Sequence, residues 1–155
     1  MPIERQPRPD SVNLRFAEYL DGQKQAIIGE WLQSVRADAT ILPPQFLDEM
    51  AITNLLPSLL DDLNATLRHL GSILVADQAL RDARKHGATR STQGYVRCEA
   101  LREIKHFRSL LIRHLRNFEN IHPGYALVAM LFVSTIVHRF LDELTINAAH
   151  GFRAA

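Results

Sequence analysis

Tyr125-Ala-Leu-Val-Ala-Met-Leu-Phe-Val-Ser-Thr-Ile-Val137 is the most apolar run of the chain, thirteen residues closed by His138 and Arg139. A bilayer-spanning helix needs about 20 apolar residues, so this run reads as a buried core helix. Pro123 is expected to open it, at the first helical position that proline favours. Met130, Val133, Val137, Phe140 and Leu144 repeat at 3, 4, 3, 4 spacing, a coiled-coil-like seam. Val128, Phe132 and Ile136 occupy the opposite side of the first half. A helix apolar on both sides is either central to a fold or shared between subunits. One face is expected to enter the domain's own core, and the seam to meet a second copy in a homodimer.

Upstream of this helix the same 3.6-residue period recurs and no strand pattern appears. Leu20, Ile27, Ile28, Trp31 and Val35 share one face of a helix from about Ser11 to Ala37. Pro43-Pro44 breaks the chain before a short helix over Gln45 to Ala51. The next helix is expected to be capped by Thr53 or Asn54, with Pro57 in its first turn. Leu59, Leu60, Leu63 and Leu67 carry its inner face toward Leu70, and Gly71 is its stop. A further segment, Asp77 to Gln93, places Ala79, Ala83, His86 and Arg90 on one stripe. Gly94-Tyr95 interrupts it. A helix then runs to about Phe118, with Leu101, Ile104, Leu111, Leu115 and Phe118 inward. The expected architecture is an all-α bundle of five to six helices with a long C-terminal helix. Residues 11–150 form one domain behind a flexible tail, residues 1–10.

Composition agrees with this outline. The chain has 155 residues, 46% hydrophobic and 23% charged, enough for one sizeable core and too apolar for intrinsic disorder. A single cysteine, Cys98, excludes an internal disulfide framework and a cysteine-rich zinc site, and fits a reducing, cytoplasmic setting. The N-terminal MPIERQPRPD lacks the apolar stretch of a signal peptide. Net charge is +1, yet it is unevenly spread. Residues 1–80 hold 6 basic and 11 acidic groups, whereas residues 81–116 hold 10 basic and 3 acidic. Such a block reads either as a surface for an anionic ligand or as basic helices lying beside acidic ones. Aromatic interleaving for base stacking is nearly absent, so no nucleic acid is expected as partner.

Metal and nucleophile patterns are thin. Glu103-x-x-His106 has the spacing that di-iron bundles use, with Glu99 one turn ahead, but the further inward carboxylates such a site needs are not evident. Glu119-x-x-His122 stands at a helix junction. His69, His106, His114 and His138 are each candidates for a single haem ligand. Cys98 lacks a CxxC partner. No GxSxG, Walker A, HExxH or dinucleotide-binding glycine pattern occurs. The chain is therefore expected to be non-catalytic, without metal or cofactor, the alternative being a haem- or di-iron-binding helical protein.

The most informative segment is Ala83-Arg-Lys-His86-Gly87-Ala-Thr-Arg90-Ser-Thr-Gln93-Gly94-Tyr95. The small residues Ala76, Ala79, Ala83 and Gly87 permit close helix approach, and His86 and Arg90 lie on that tight stripe. A buried arginine requires an acceptor. Glu103 on the next helix is the best available, with Gly94 permitting the turn between them. His86, Arg90, Gln93, Tyr95 and Glu103 are thus expected to form a polar core, either a small-anion site or a structural ion pair.

The pattern HG-x-x-R-x-x-QGY (His86 to Tyr95) followed by Glu103, together with Trp31, Val35 and Asn54-Leu-Leu-Pro-Ser-Leu-Leu-Asp-Asp-Leu63, resembles the N-terminal domain of the RsbRD family of RsbT co-antagonist proteins. The resemblance spans roughly residues 15–140. It implies a sensory or regulatory input domain of a bacterial stressosome-type regulator or sensor histidine kinase, globin-like and free of haem. The output would be a downstream kinase or STAS domain or partner, and no membrane is involved. The chain departs from that full-length architecture, with no STAS or kinase domain after Ala155, and reads either as a piece of a longer protein or as a free-standing input domain.

Overall fold

The computed structural model describes residues 9–69 and 75–153. They form six α-helices and no strand: α1 Pro9–Ala37, α2 Glu49–Thr53, α3 Leu56–Arg68, α4 Asp77–Thr92, α5 Arg97–Ile121 and α6 Leu127–Gly151, with a 3₁₀ turn at Pro43–Gln45. The chain is an all-α bundle with a long C-terminal helix. No helix among the described residues is long and apolar enough to cross a membrane.

The core follows the apolar faces of these helices. Leu20, Ile27, Trp31 and Val35 of α1 are buried with Leu59, Leu60, Leu63 and Leu67 of α3 and with Ile104, Leu111, Leu115 and Phe118 of α5. Leu101 is only half-buried. Helix α6 packs most extensively on α4 and also meets α1, α3 and α5. Its seam lies wholly inside the domain: Met130, Val133, Val137, Phe140 and Leu144 are all buried, none more than 6% exposed. The seam is therefore consumed by the chain's own core and is not a free dimerisation surface. The outward side of the first half of α6 is instead Leu127, Val128 and Leu131, while Phe132 is half-buried and Ile136 buried. The reason lies in α1, α3, α4 and α5, which pack around α6 and take up that face.

Several boundaries depart from the sequence reading. Helix α1 begins at Pro9, inside the segment expected to be a tail; residues 1–8 lie outside the described residues. The short helix runs over Glu49–Thr53 because Asp48 caps it, its side chain accepting from the Ala51 amide at 2.7 Å. Thr53 and Asn54 do not cap α3: Thr53 donates to the Glu49 carbonyl at 2.8 Å and Asn54 closes α2. Helix α3 starts after Leu55, with Pro57 in its first turn. It ends at Arg68, and the expected stop at Leu70 and Gly71 lies outside the described residues. Pro123 does not open α6. It sits in a turn in which the Tyr125 amide donates to the His122 carbonyl at 3.4 Å, a position proline favours through its fixed φ. The helix begins at Leu127.

Candidate functional site

Helix α4 carries Ala79, Ala83, His86, Gly87 and Arg90 on its buried side. A Cβ built on Gly87 would overlap the Ala148 carbonyl, and one on Gly151 would overlap the Arg84 carbonyl. The α4 and α6 backbones therefore touch, and only glycine fits at these two crossings. Gly94, at φ 88°, takes the left-handed turn that ends α4 and sends the chain into α5. That turn brings Tyr95 and Glu103 back over Arg90.

Arg90 and Glu103 are each 0% exposed. Arg90 Nε donates to Glu103 Oε2 at 2.7 Å, and Tyr95 Oη donates to Glu103 Oε1 at 2.6 Å. Arg90 Nη1 donates to Gln93 Oε1 at 2.6 Å and to the Ala51 carbonyl at 3.1 Å, and Nη2 donates to the Ile52 carbonyl. Gln93 Nε2 also reaches the Ala51 carbonyl, at 3.1 Å. The guanidinium lies 5.2 Å from the Tyr95 ring centroid, a cation–π distance. Charge and hydrogen-bond donors are thus matched without solvent, the condition under which a buried ion pair is tolerated. Trp31 adds a donor from α1, its Nε1 reaching the Glu103 carbonyl at 3.1 Å.

Burial by itself would raise the Glu103 carboxyl; His86, Arg90 and Tyr95 outweigh it and hold it below the ordinary value, so it is ionised. Burial and the Glu103 charge push the Tyr95 hydroxyl up, so it stays a donor. His86 is the exception to the matching. Its Nε2 stands 3.6 Å from Glu103 Oε2, and neither ring nitrogen has a hydrogen-bond partner in the protein. Burial pushes its pKa down and keeps the ring neutral. His86 and Glu103 line a cavity of about 10 Å³ with Trp31, Ile104, Phe107 and Leu144, room for about one water molecule.

The structure thus brings His86, Arg90, Gln93, Tyr95 and Glu103 together in one cluster, all buried except the half-buried Gln93 at its edge. Two contributors carried no signal in the sequence, the carbonyls of Ala51 and Ile52, because every residue has one. The di-iron spacing separates. Glu99 turns back to the Val96 amide at 2.8 Å and reaches the Leu42 amide at 3.1 Å, while His106 lies 2.7 Å from Asp38. No group of three His, Cys, Asp or Glu residues capable of holding a metal occurs among the described residues. Of the histidines, His69 and His138 are exposed, and His114 is buried with Nδ1 3.1 Å from the Tyr19 hydroxyl. Cys98 is exposed. The uneven charge is partly dissolved by pairing across helices, as in Arg113 with Glu30 and Arg108–Asp142 at 2.7 Å, whereas Lys24–Asp61 and Arg68–Asp21, each at 2.6 Å, pair within the acidic half. Set against known proteins, the chain matches no family model, no curated protein and no solved structure.

Proposed function

We propose that this chain is a non-catalytic, cytoplasmic sensory or regulatory input domain of a bacterial signal-transduction protein, related to the RsbRD type and passing its state to a kinase or STAS output through α6. The observation that supports the reading is the sealed Arg90–Glu103 cluster. It ties Ala51 and Ile52, the α4–α5 turn and α5 into one unit, and its cavity is closed by Leu144 of α6. A buried, saturated ion pair is an all-or-none contact: moving one member forces the others to repack. Helix α6 is backbone-to-backbone with α4, so repacking of α4 displaces it.

The test uses the chain joined to, or mixed with, its kinase or STAS output. Arg90→Lys keeps the charge and loses the planar fork of donors. Output phosphorylation is expected to shift several-fold while helix content is retained, and an unchanged output overturns the reading. An absorption spectrum of freshly purified protein addresses the haem alternative, since a Soret band that survives gel filtration would replace this proposal. Self-association belongs to the proposal too, now through a surface other than the seam, and sedimentation at micromolar concentration measures it.

A further inference from the structure

Beside the α4–α6 crossing, on the side away from the sealed cluster, lies an open cleft of about 460 Å³ lined by Arg84, Lys85, Ser91, Thr92, His150 and Arg153. This is the size range of small-molecule sites. Arg84, Lys85, His150 and Arg153 are all exposed, and none of them takes part in the ion pairs formed among the described residues. Within the same basic block Arg90, Arg108 and Arg113 each face a carboxylate; what sets the cleft apart is that cations from α4 and from the chain just past α6 converge on one concavity.

The cleft is also held in shape. Its walls are the two helices locked at Gly87 and Gly151. Arg84 Nε donates to the Oδ1 of buried Asn147 at 3.0 Å, and its terminal guanidinium nitrogens are in no ion pair formed among the described residues. Ser91 Oγ donates to the Arg153 carbonyl and pins the chain beyond α6. Arg97 lies 5.8 Å over the ring of Phe152, the neighbour of Arg153 in the chain, and helps hold this end of α6. Cations often sit at helix C-termini to offset the macrodipole, but that effect decays within the last turn. Arg84 and Lys85 stand about two turns before the end of α4 at Thr92, so the dipole does not account for them.

We infer that this cleft binds a phosphate-bearing small anion, with Arg84, Lys85 and Arg153 on the phosphate oxygens and Ser91 and Thr92 at its edge. Arginine forks and a lysine point charge are the groups that recognise phosphate, and a concave, preorganised site reduces the cost of binding. This inference is independent of the signalling proposal. The phosphate could be carried by a free ester or by a lipid headgroup, and the experiment has an arm for each.

Inorganic pyrophosphate is titrated into the full chain by calorimetry at constant ionic strength, alongside Lys85→Gln/Arg153→Gln and Arg116→Gln, an exposed arginine on α5 outside the cleft. The double variant is expected to bind about ten- to a hundredfold more weakly, and Arg116→Gln to bind like wild type. Circular dichroism checks that both variants keep their helix content; the changed residues are exposed and leave the core intact. In the second arm the same proteins are sedimented with phosphatidylcholine–phosphatidylglycerol vesicles. Vesicle binding with the same mutational pattern but no pyrophosphate binding assigns the phosphate to a lipid. Binding in neither arm overturns the inference, as does equal weakening by Arg116→Gln. Binding of a duplex oligonucleotide in place of both probes overturns it too.

Discussion

Arg90 holds its charge at 0% exposure because every neighbouring acceptor is turned toward it. Removing one partner leaves the other buried and unmatched. Arg90→Ala and Glu103→Ala should each cost about 3–5 kcal/mol in urea denaturation. The double variant should cost clearly less than the two added together, whereas near-additive small losses would dismiss the ion pair as a structural element. His86 gives a pH signature of its own. Its folded pKa lies below its ordinary value of 6.5, so the unfolded chain binds more protons below that pH. Its stabilising contribution is complete above pH 6.5 and fades as pH falls, by at most about 1.4 kcal/mol per unit for one proton. Thermal melts of His86→Leu should show a flatter acid limb than wild type. Part of the slope should remain, since burial and Arg113 push His114 down as well.

Between helices, the α4–α6 crossing separates two kinds of glycine. Gly87→Ala and Gly151→Ala drive a methyl group into a backbone carbonyl and should destabilise by about 1–3 kcal/mol despite alanine's better helix propensity. Gly29→Ala, in the open on α1, meets nothing within 4 Å and should stabilise by about 0.5–1 kcal/mol. Equal effects at the three positions in denaturant melts would mean the helices do not touch. At the junction of α3 and α4, burial and the facing Asp82 raise the Asp62 carboxyl to about 7. The native state then keeps a proton that the unfolded chain releases near its ordinary value of 3.8, so stability falls as pH rises between these values. Asp62→Asn should therefore raise the melting temperature more at pH 8 than at pH 4, and an equal shift at both would remove Asp62 from the account.

For the molecule as a whole, the placement of the α6 seam sets the outcome of disrupting it. Val137 and Phe140 are 0% and 2% exposed, so Val137→Glu and Phe140→Glu bury an unpaired carboxylate in the single core and should unfold the chain. Recovery of folded monomer from either, judged by circular dichroism and sedimentation, would instead return the seam to an intersubunit role. The sequence by itself determined the helices and most of their inward faces: Leu59, Leu60, Leu63 and Leu67 of α3, and Ala79, Ala83, His86 and Arg90 of α4. It also named the five side chains of the polar cluster. Helical period and the need of a buried charge for an acceptor are local rules that one stretch of chain can satisfy. Only the tertiary structure decided which face of α6 would be inside, since both were apolar and the choice belongs to the helices packed around it. It alone brought Ala51 and Ile52 to Arg90, because a backbone carbonyl is the same in every residue until folding gives it a place. Arg84, Lys85 and Arg153 likewise line one cleft although 68 positions separate Lys85 from Arg153. What joins them is the contact of two glycines with facing backbones, a matter of steric fit between distant segments that no local pattern encodes.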